Sequence, residues 1–264
     1  MFERSTVQCK EIAMSYLPGK FIWFELACGD FAKARAFYEP LFGWHVEAVA
    51  MGDEKYHMIL NGSGGIGGFM PAQAGQRAQW HSYISVLDVD RSYQAALAAG
   101  ATSVAPPADF DPVGRGASII DPTGAAVSLW HSADADRPDL EQMPVGDWVW
   151  NELWTPDAQK ALAFYENTLG YTHEEMNIGD QGVYLILNAS GKSRGGIFQA
   201  PDKNTPPMWM PYVHVADCDA TAARASELGA TVFMPATDVP GVGRFAAMFD
   251  PQGAALAFIK PVPM

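Results

Sequence analysis

The chain is written twice. The block Gly19-Lys-Phe-Ile-Trp-Phe-Glu-Leu, with Ala36-Phe37-Tyr38-Glu39 and Gly43-Trp44 after it, returns as Gly146-Asp-Trp-Val-Trp-Asn-Glu-Leu, Ala163-Phe164-Tyr165-Glu166 and Gly170-Tyr171, a shift of 127 (152 − 25). Val113-Gly114-Arg115 and Asp121-Pro122-Thr123-Gly124 return as Val242-Gly243-Arg244 and Asp250-Pro251-Gln252-Gly253, a shift of 129 (250 − 121). Blocks displaced by nearly one interval specify a duplicated domain, in which each unusual residue can be judged against its twin.

A length of 264 residues agrees with two domains and gives each half enough chain for a core of its own. With 48% hydrophobic and 18% charged residues the chain is of the folding kind. The formal net charge of −13, with no Lys/Arg cluster to reverse it locally, repels phosphate backbones and anionic lipid, so neither nucleic acid nor a membrane is expected as partner. There is no basic, then apolar, leader at Met1 and no run of about 18 apolar residues, and the expected location is cytoplasmic. Cys9, Cys28 and Cys218 lack metal-like or redox-like spacing and are expected to be reduced and to serve packing.

Within each half a weaker repetition appears. Phe21 to Ala27 reads as a strand, Asp30 as an N-cap, and Phe31 to Phe42 as a helix closed by Gly43. Strands follow over 44–51, 55–60 and 66–70; the cycle restarts with a strand over 80–87, a helix over 91–99, and strands over 102–104, 116–120 and 125–130. The second half repeats this, with Thr155 expected to cap and Pro156 at the first helical position. The Asp-Pro-x-Gly tetrads place Pro and Gly where a tight hairpin turn needs them. The fold class is therefore α+β, four βαβββ modules in two pairs: an extension over 1–18, domains over 19–131 and 146–261, and between them a Pro-rich, acidic linker over 132–145 of the exposed kind.

The strands opening Trp-x-Glu-Leu before an Asp or Pro-Asp cap, the Phe-Tyr and Leu-x-Gly helix ends, and Asp-Pro-x-Gly before the last strand together resemble the vicinal-oxygen-chelate superfamily, which includes glyoxalase I, bleomycin-resistance proteins and extradiol dioxygenases. The resemblance covers roughly Gly19 to Lys260 and rests on the order of the motifs, which occurs twice. It implies that each pair of modules curls into a U-shaped cleft, with a strand face looking inward.

Strand alternation puts Phe21, Trp23 and Glu25 on one face and Ile22, Phe24 and Leu26 on the other; the aliphatic and aromatic set is expected to meet the helix. Trp23 and Glu25 then face one cleft, and Trp148, Trp150, Glu152 and Trp154 the other. A carboxylate among indoles is costly unless paired or protonated, yet it recurs at one register. Either Glu25 and Glu152 accept structural hydrogen bonds, or they contact ligand and serve as candidate general bases. The same count turns His81, Tyr83 and Ser85 into the first cleft and Met210, Tyr212 and His214 into the second. His57 and Tyr184 are left open between cleft and edge, and Arg115 and Arg244 read as turn or surface ion-pair residues.

In metal-dependent members of the superfamily the ligands come from the first and last strands of each module. The resemblance places those positions on Trp23, His81 and Ser128 in one half and on Trp150, Met210 and Ala257 in the other. A catalytic divalent ion needs about three imidazole or carboxylate ligands. At best one donor pair is on offer per cleft, Glu25 with His81 and Glu152 with His214, so neither metal nor other cofactor is expected.

Two functions are weighed. The first is a binding protein of the bleomycin-resistance type that takes a small apolar or aromatic molecule, touched by Trp23, His81, Tyr83, Ser128, Trp150, Tyr212 and His214. The alternative is a lyase, isomerase or dioxygenase-type enzyme in which Glu25 or Glu152 is the base, with or without a divalent metal. A blander option makes the second half, with Met210 in place of His81, purely structural. A monomer or weak homodimer is expected, because the fused duplication satisfies within one chain the packing that single-domain relatives find between subunits.

Overall fold

Each helix starts on an aspartate. Asp30, Asp88, Asp157 and Asp217 accept hydrogen bonds from the backbone amides of Lys33, Arg91, Lys160 and Ala220, and so fix the starts of α1 (Phe31–Phe42), α2 (Val89–Ala98), α3 (Ala158–Leu169) and α4 (Cys218–Glu227). The third start corrects the sequence reading: Asp157 caps, not Thr155, and Pro156 precedes the helix. Thr155 Oγ1 instead accepts from the Asp157 amide at 3.2 Å, and the carboxylate two residues nearer the helix takes the cap. Gly43 and Gly170, at φ 71° and 72°, end α1 and α3 in the left-handed conformation that other residues avoid.

The computed structural model describes residues 15–51, 54–72, 75–179 and 182–262; Cys9 lies outside them. Four modules follow one another, β1 (Phe21–Cys28), α1, β2 (His45–Met51), β3 (Glu54–Asn61), β4 (Gly64–Pro71); β5 (Gln79–Ser85), α2, β6 (Thr102–Phe110), β7 (Gly114–Ile120), β8 (Ala126–Ser132); β9 (Trp148–Thr155), α3, β10 (Thr172–Asn177), β11 (Val183–Ala189), β12 (Lys192–Gln199); and β13 (Met208–His214), α4, β14 (Thr231–Val239), β15 (Gly243–Phe249), β16 (Ala255–Pro261). Each half forms one curled eight-stranded sheet, ordered β2-β3-β4-β1-β5-β8-β7-β6 and β10-β11-β12-β9-β13-β16-β15-β14. The antiparallel joins β1·β5 and β9·β13 weld two modules into each sheet. Strand β6 runs well past the 102–104 expected, because its irregular pairing with β7 carries it over Pro106 and Pro107.

The halves of the sequence are the halves of the sheets but not of the hydrophobic cores. One core joins Phe24, Leu26, Phe37 and Tyr38 of the first module to Val213, Ala225, Met248 and Phe258 of the fourth; another joins Ile84, Tyr93 and Leu129 of the second to Leu153, Tyr165 and Leu187 of the third. Neither of these two large cores is therefore built from one half alone. The physical reason is that a single curled sheet with two short helices leaves a broad apolar face, which only the facing half covers.

Buried hydrogen bonds tie the seam at twinned positions. Tyr38 donates to Asp250 Oδ2 and accepts from Trp80 Nε1 at 3.0 Å; Tyr165 donates to Asp121 Oδ2 and accepts from Trp209 Nε1 at 2.8 Å. Trp44 Nε1 donates to Gly146 O at 2.7 Å, and its twin Tyr171 donates to Gly19 O at 2.6 Å. Oδ1 of Asp121 and Asp250 meanwhile accepts amides of the Asp-Pro-x-Gly turns. One carboxylate thus shapes a hairpin and locks a helix of the other half.

The segment between the sheets is less detached than its composition implies. Asp136 is 6% exposed and accepts from Ser85 Oγ at 2.5 Å and from the Leu17 amide at 2.6 Å. Among the described residues no helix is long and apolar enough to cross a membrane.

Candidate functional site

In the first half the concave face centres on Glu25. Tyr56 of β3 donates to its Oε1 at 2.6 Å, Tyr83 of β5 donates to its Oε2, and Trp23 Nε1 donates to the Tyr56 oxygen at 2.8 Å. Burial, and then the Glu25 charge, push both phenols well above their ordinary range, so they stay protonated donors. His81 lies directly opposite Glu25 in the β1·β5 register, as the alternation predicts. Its Nε2 meets Ser128 Oγ at 2.7 Å, which in turn meets Ser118 Oγ at 2.7 Å. Burial lowers the imidazole to about 4, so it is neutral at pH 7.

Tyr56 escaped the sequence reading, which stopped at its neighbour His57. The signal was present in the duplication, since Tyr56 is the twin of Tyr184 (184 − 56 = 128). His57 turns the other way and stacks on Phe31 at 4.0 Å. Space for each phenol is left by a twinned glycine: a Cβ on Gly68 would sit 1.9 Å from the Tyr56 oxygen, and one on Gly196 2.0 Å from that of Tyr184.

The second hollow repeats the carboxylate with its two phenols and indole, but not the polar chain beside them. Glu152 Oε1 accepts from Trp154 Nε1 at 2.5 Å and from Tyr212 at 2.9 Å; Tyr184 also bonds to it and takes Trp150 Nε1 at 2.8 Å. Glu152 is 9% exposed, and burial raises its carboxyl above the ordinary range against these three donors. Where the first cup has the chain His81, Ser128, Ser118, the second has Met210, Ala257, Ala247, all fully buried. They pack with Tyr212, Trp150, Trp154 and Phe233 into an apolar cluster that fills the hollow.

Bulges explain the residues misplaced by simple alternation. The pairing slips between Phe21 and Trp23, and between Tyr212 and Val213 opposite Trp148, inserting one residue and reversing the faces beyond it. Phe21 and Trp148 consequently join the core, with Trp148 4.6 Å from Phe24 and Phe21 4.8 Å from Trp209. Ser85 and His214, expected in the clefts, stand at the bulged ends and meet the connecting segment: Ser85 bonds to Asp136, and His214 Nδ1 to Met143 O at 2.7 Å. The pair Glu152 and His214 is not formed. Arg115 and Arg244 make surface ion pairs, to Asp90 and Asp109 and to Asp219 and Asp238.

A model of the glyoxalase-like domain matches residues 23–130 and again 149–259. The chain belongs to the glyoxalase-like family. Its glyoxalase-like sequence is 37% identical over 254 residues to CFP32 of Mycobacterium tuberculosis (strain CDC 1551 / Oshkosh), provisionally named a glyoxylase, covering 94% of this chain and 97% of that one. It is 28% identical to the anthracycline biosynthesis protein DauV of Streptomyces sp. (strain C5), covering 93% and 94%. Among solved structures it shares its fold with the Mn(II)-bound glyoxalase of Novosphingobium aromaticivorans (TM-score 0.63, 17% identity, 94% and 83% covered) and with the 2,3-dioxygenase LapB of Pseudomonas sp. KL28 (TM-score 0.63, 14% identity, 95% and 96% covered).

A glyoxalase-like fold implies a divalent metal in the cup, and the donor set decides whether this chain suits one. Both oxygens of the neighbouring Glu25 accept phenols, His81 Nε2 is engaged by Ser128, and the other two implied ligand positions, Trp23 and Ser128, hold an indole and a hydroxyl. Among the described residues no three His, Cys, Asp or Glu side chains gather where they could hold a metal ion. The residues of this glyoxalase-like cup do not fit the group.

Proposed function

We propose that this protein binds a small aromatic or apolar molecule in its first cup, without a metal, and that the second cup is structural. The observation that carries the reading is the contrast between twins: the half-buried network of Trp23, Glu25, Tyr56 and Tyr83 beside the His81–Ser128–Ser118 chain, against the fully buried Met210, Ala257 and Ala247. Buried polar groups are kept at a cost, and here one copy lacks all three together. Indole and phenol faces suit a planar ligand, and the free lone pairs of Glu25 suit a hydroxyl or amine on it. The relatives named for anthracycline biosynthesis and as a glyoxylase are named for small-molecule chemistry. Because both cores are completed within one chain, the working form is a monomer or weak homodimer.

Titration with 2-naphthol, followed by tryptophan quenching and calorimetry, tests this. One saturable site per chain is expected, weakened at least about tenfold by Trp23→Ala or Tyr83→Phe, unchanged by Glu152→Gln, and unchanged after dialysis against chelator. Absence of saturable binding, two equal sites, or loss of binding with a stoichiometric metal overturns it.

The enzyme reading, with Glu25 as general base, draws on one observation: the neutral imidazole of His81 sits across the strand from it. It requires turnover of a 2-oxoaldehyde or a catechol that Glu25→Gln abolishes in a folded protein; turnover that survives the substitution dismisses it.

A further inference from the structure

A cavity of about 520 Å³ lies outside the Glu25 network, bordered by β1, β9 and the connecting segment. Its size suits a small-molecule site. Its walls are twinned positions that have diverged. Phe24 is the twin of Asn151 (151 − 24 = 127) and Ile66 the twin of Arg194 (194 − 66 = 128), and all four border the cavity. The first half contributes the apolar pair and the second a polar pair, with Asn151 only 1% exposed and Arg194 8%.

That polar wall is incompletely satisfied. Arg194 gives Nε to Ala189 O and Nη1 to Asp139 Oδ1, while Nη2 is buried with no partner among the described residues. Both amide atoms of Asn151 and Oδ1 of Asp147, another residue bordering the cavity, are buried in the same condition. Leaving such groups unmade costs about 1–3 kcal/mol each, so water or a ligand ordinarily completes them. Two unmade donors and two unmade acceptors therefore belong to three residues that border one volume. Asp139 is already held by both Arg194 and Lys20, and exposed Arg137 and Lys192 add positive charge at the rim of a chain whose net charge is −13.

We propose that this seam cavity binds a small carboxylate bearing a hydrogen-bond donor on the adjacent carbon and an apolar body, the chemistry shared by apolar α-amino and α-hydroxy acids. The carboxylate satisfies Arg194 Nη2 and Asn151 Nδ2; an adjacent ammonium satisfies both Asp147 Oδ1 and Asn151 Oδ1, and an adjacent hydroxyl, with its single hydrogen, one of the two. The apolar body rests on Phe24, Ile66 and Trp148, whose own Nε1 is already given to Ile66 O at 2.8 Å. Arg137 and Lys192 raise the local concentration of anion.

Calorimetry on the full chain with L-phenylalanine, L-phenyllactate, 3-phenylpropanoate and L-phenylalaninamide decides it. At least one of the first two is expected to bind saturably, and which one names the donor. The third lacks the donor and the fourth the carboxylate, and each is expected to bind at least about tenfold more weakly. Arg194→Ile, the residue of its twin, abolishes binding, and the surface pair Arg137→Glu with Lys192→Glu weakens it without touching the core. Tyr83→Phe leaves it unchanged. No saturable binding of either acid would assign the unmade bonds to water and end the proposal. Equal affinity for the amide, indifference to both sets of charge variants, or loss in Tyr83→Phe would also end it, the last by moving the ligand into the cup.

Discussion

Tyr38 donates its phenolic hydrogen to Oδ2 of Asp250 at 2.9 Å, 212 residues further along the chain. Its twin Tyr165 does the same to Asp121 at 2.9 Å. Removing either hydroxyl strands a buried indole N–H as well as a buried carboxylate oxygen. Tyr38→Phe and Tyr165→Phe are each expected to lower the free energy of unfolding by about 2–4 kcal/mol in urea titrations. A loss under about 1 kcal/mol would show the pairing to be idle.

Because each core takes one module from each half, residues 15–131 expressed alone are expected to show no cooperative unfolding transition. The whole chain should unfold in a single step by both circular dichroism and fluorescence. Two separated transitions in the intact protein would contradict the shared cores.

The second cup supplies a recipe for emptying the first of polarity. The triple variant His81→Met, Ser118→Ala, Ser128→Ala installs the twin residues, and replacing all partners together is expected to change stability by less than about 1 kcal/mol. Ser128→Ala alone strands His81 Nε2 and Ser118 Oγ and is expected to cost about 1–2 kcal/mol. A triple variant less stable than the single one refutes the comparison.

Acid should act through His81. Its folded value of about 4 lies below its unfolded value of about 6.5, so between the two the unfolded chain binds the extra proton. The contribution is complete above about pH 6.5 and is lost as pH falls towards 4, at most about 3 kcal/mol. His81→Met is expected to flatten the stability profile in that window; an unchanged slope would place the titration elsewhere.

Gly68 clears the room in which Tyr56 reaches Glu25. Gly68→Ala is expected to displace the phenol and weaken cup binding by about tenfold or more, measured with 2-naphthol, while Gly43→Ala, which meets no atom within 4 Å, affects stability alone.

The modules, the Asp30 cap and the hairpins were legible because they are local: periodicity, capping and turn chemistry act within a few residues. Glu25 and His81 were likewise set on one face by counting along regular strands, and Ser128 was singled out only through the family resemblance. The failures mark where regularity ends. Phe21, Trp148, Ser85 and His214 lie at or beyond β-bulges, and one inserted residue has no signature in an apolar strand. Tyr56 was missed although its twin was in view. The pairing of cores across the halves arises from which sheet faces meet, which no single segment encodes.

The crossed arrangement of the cores also bears on why a filled hollow persists at all. Deleting the second half would strip the apolar backs from both helices of its sibling. The hollow lined by Met210, Ala257 and Ala247 is bulk, while the outer scaffold around it is indispensable to the other half.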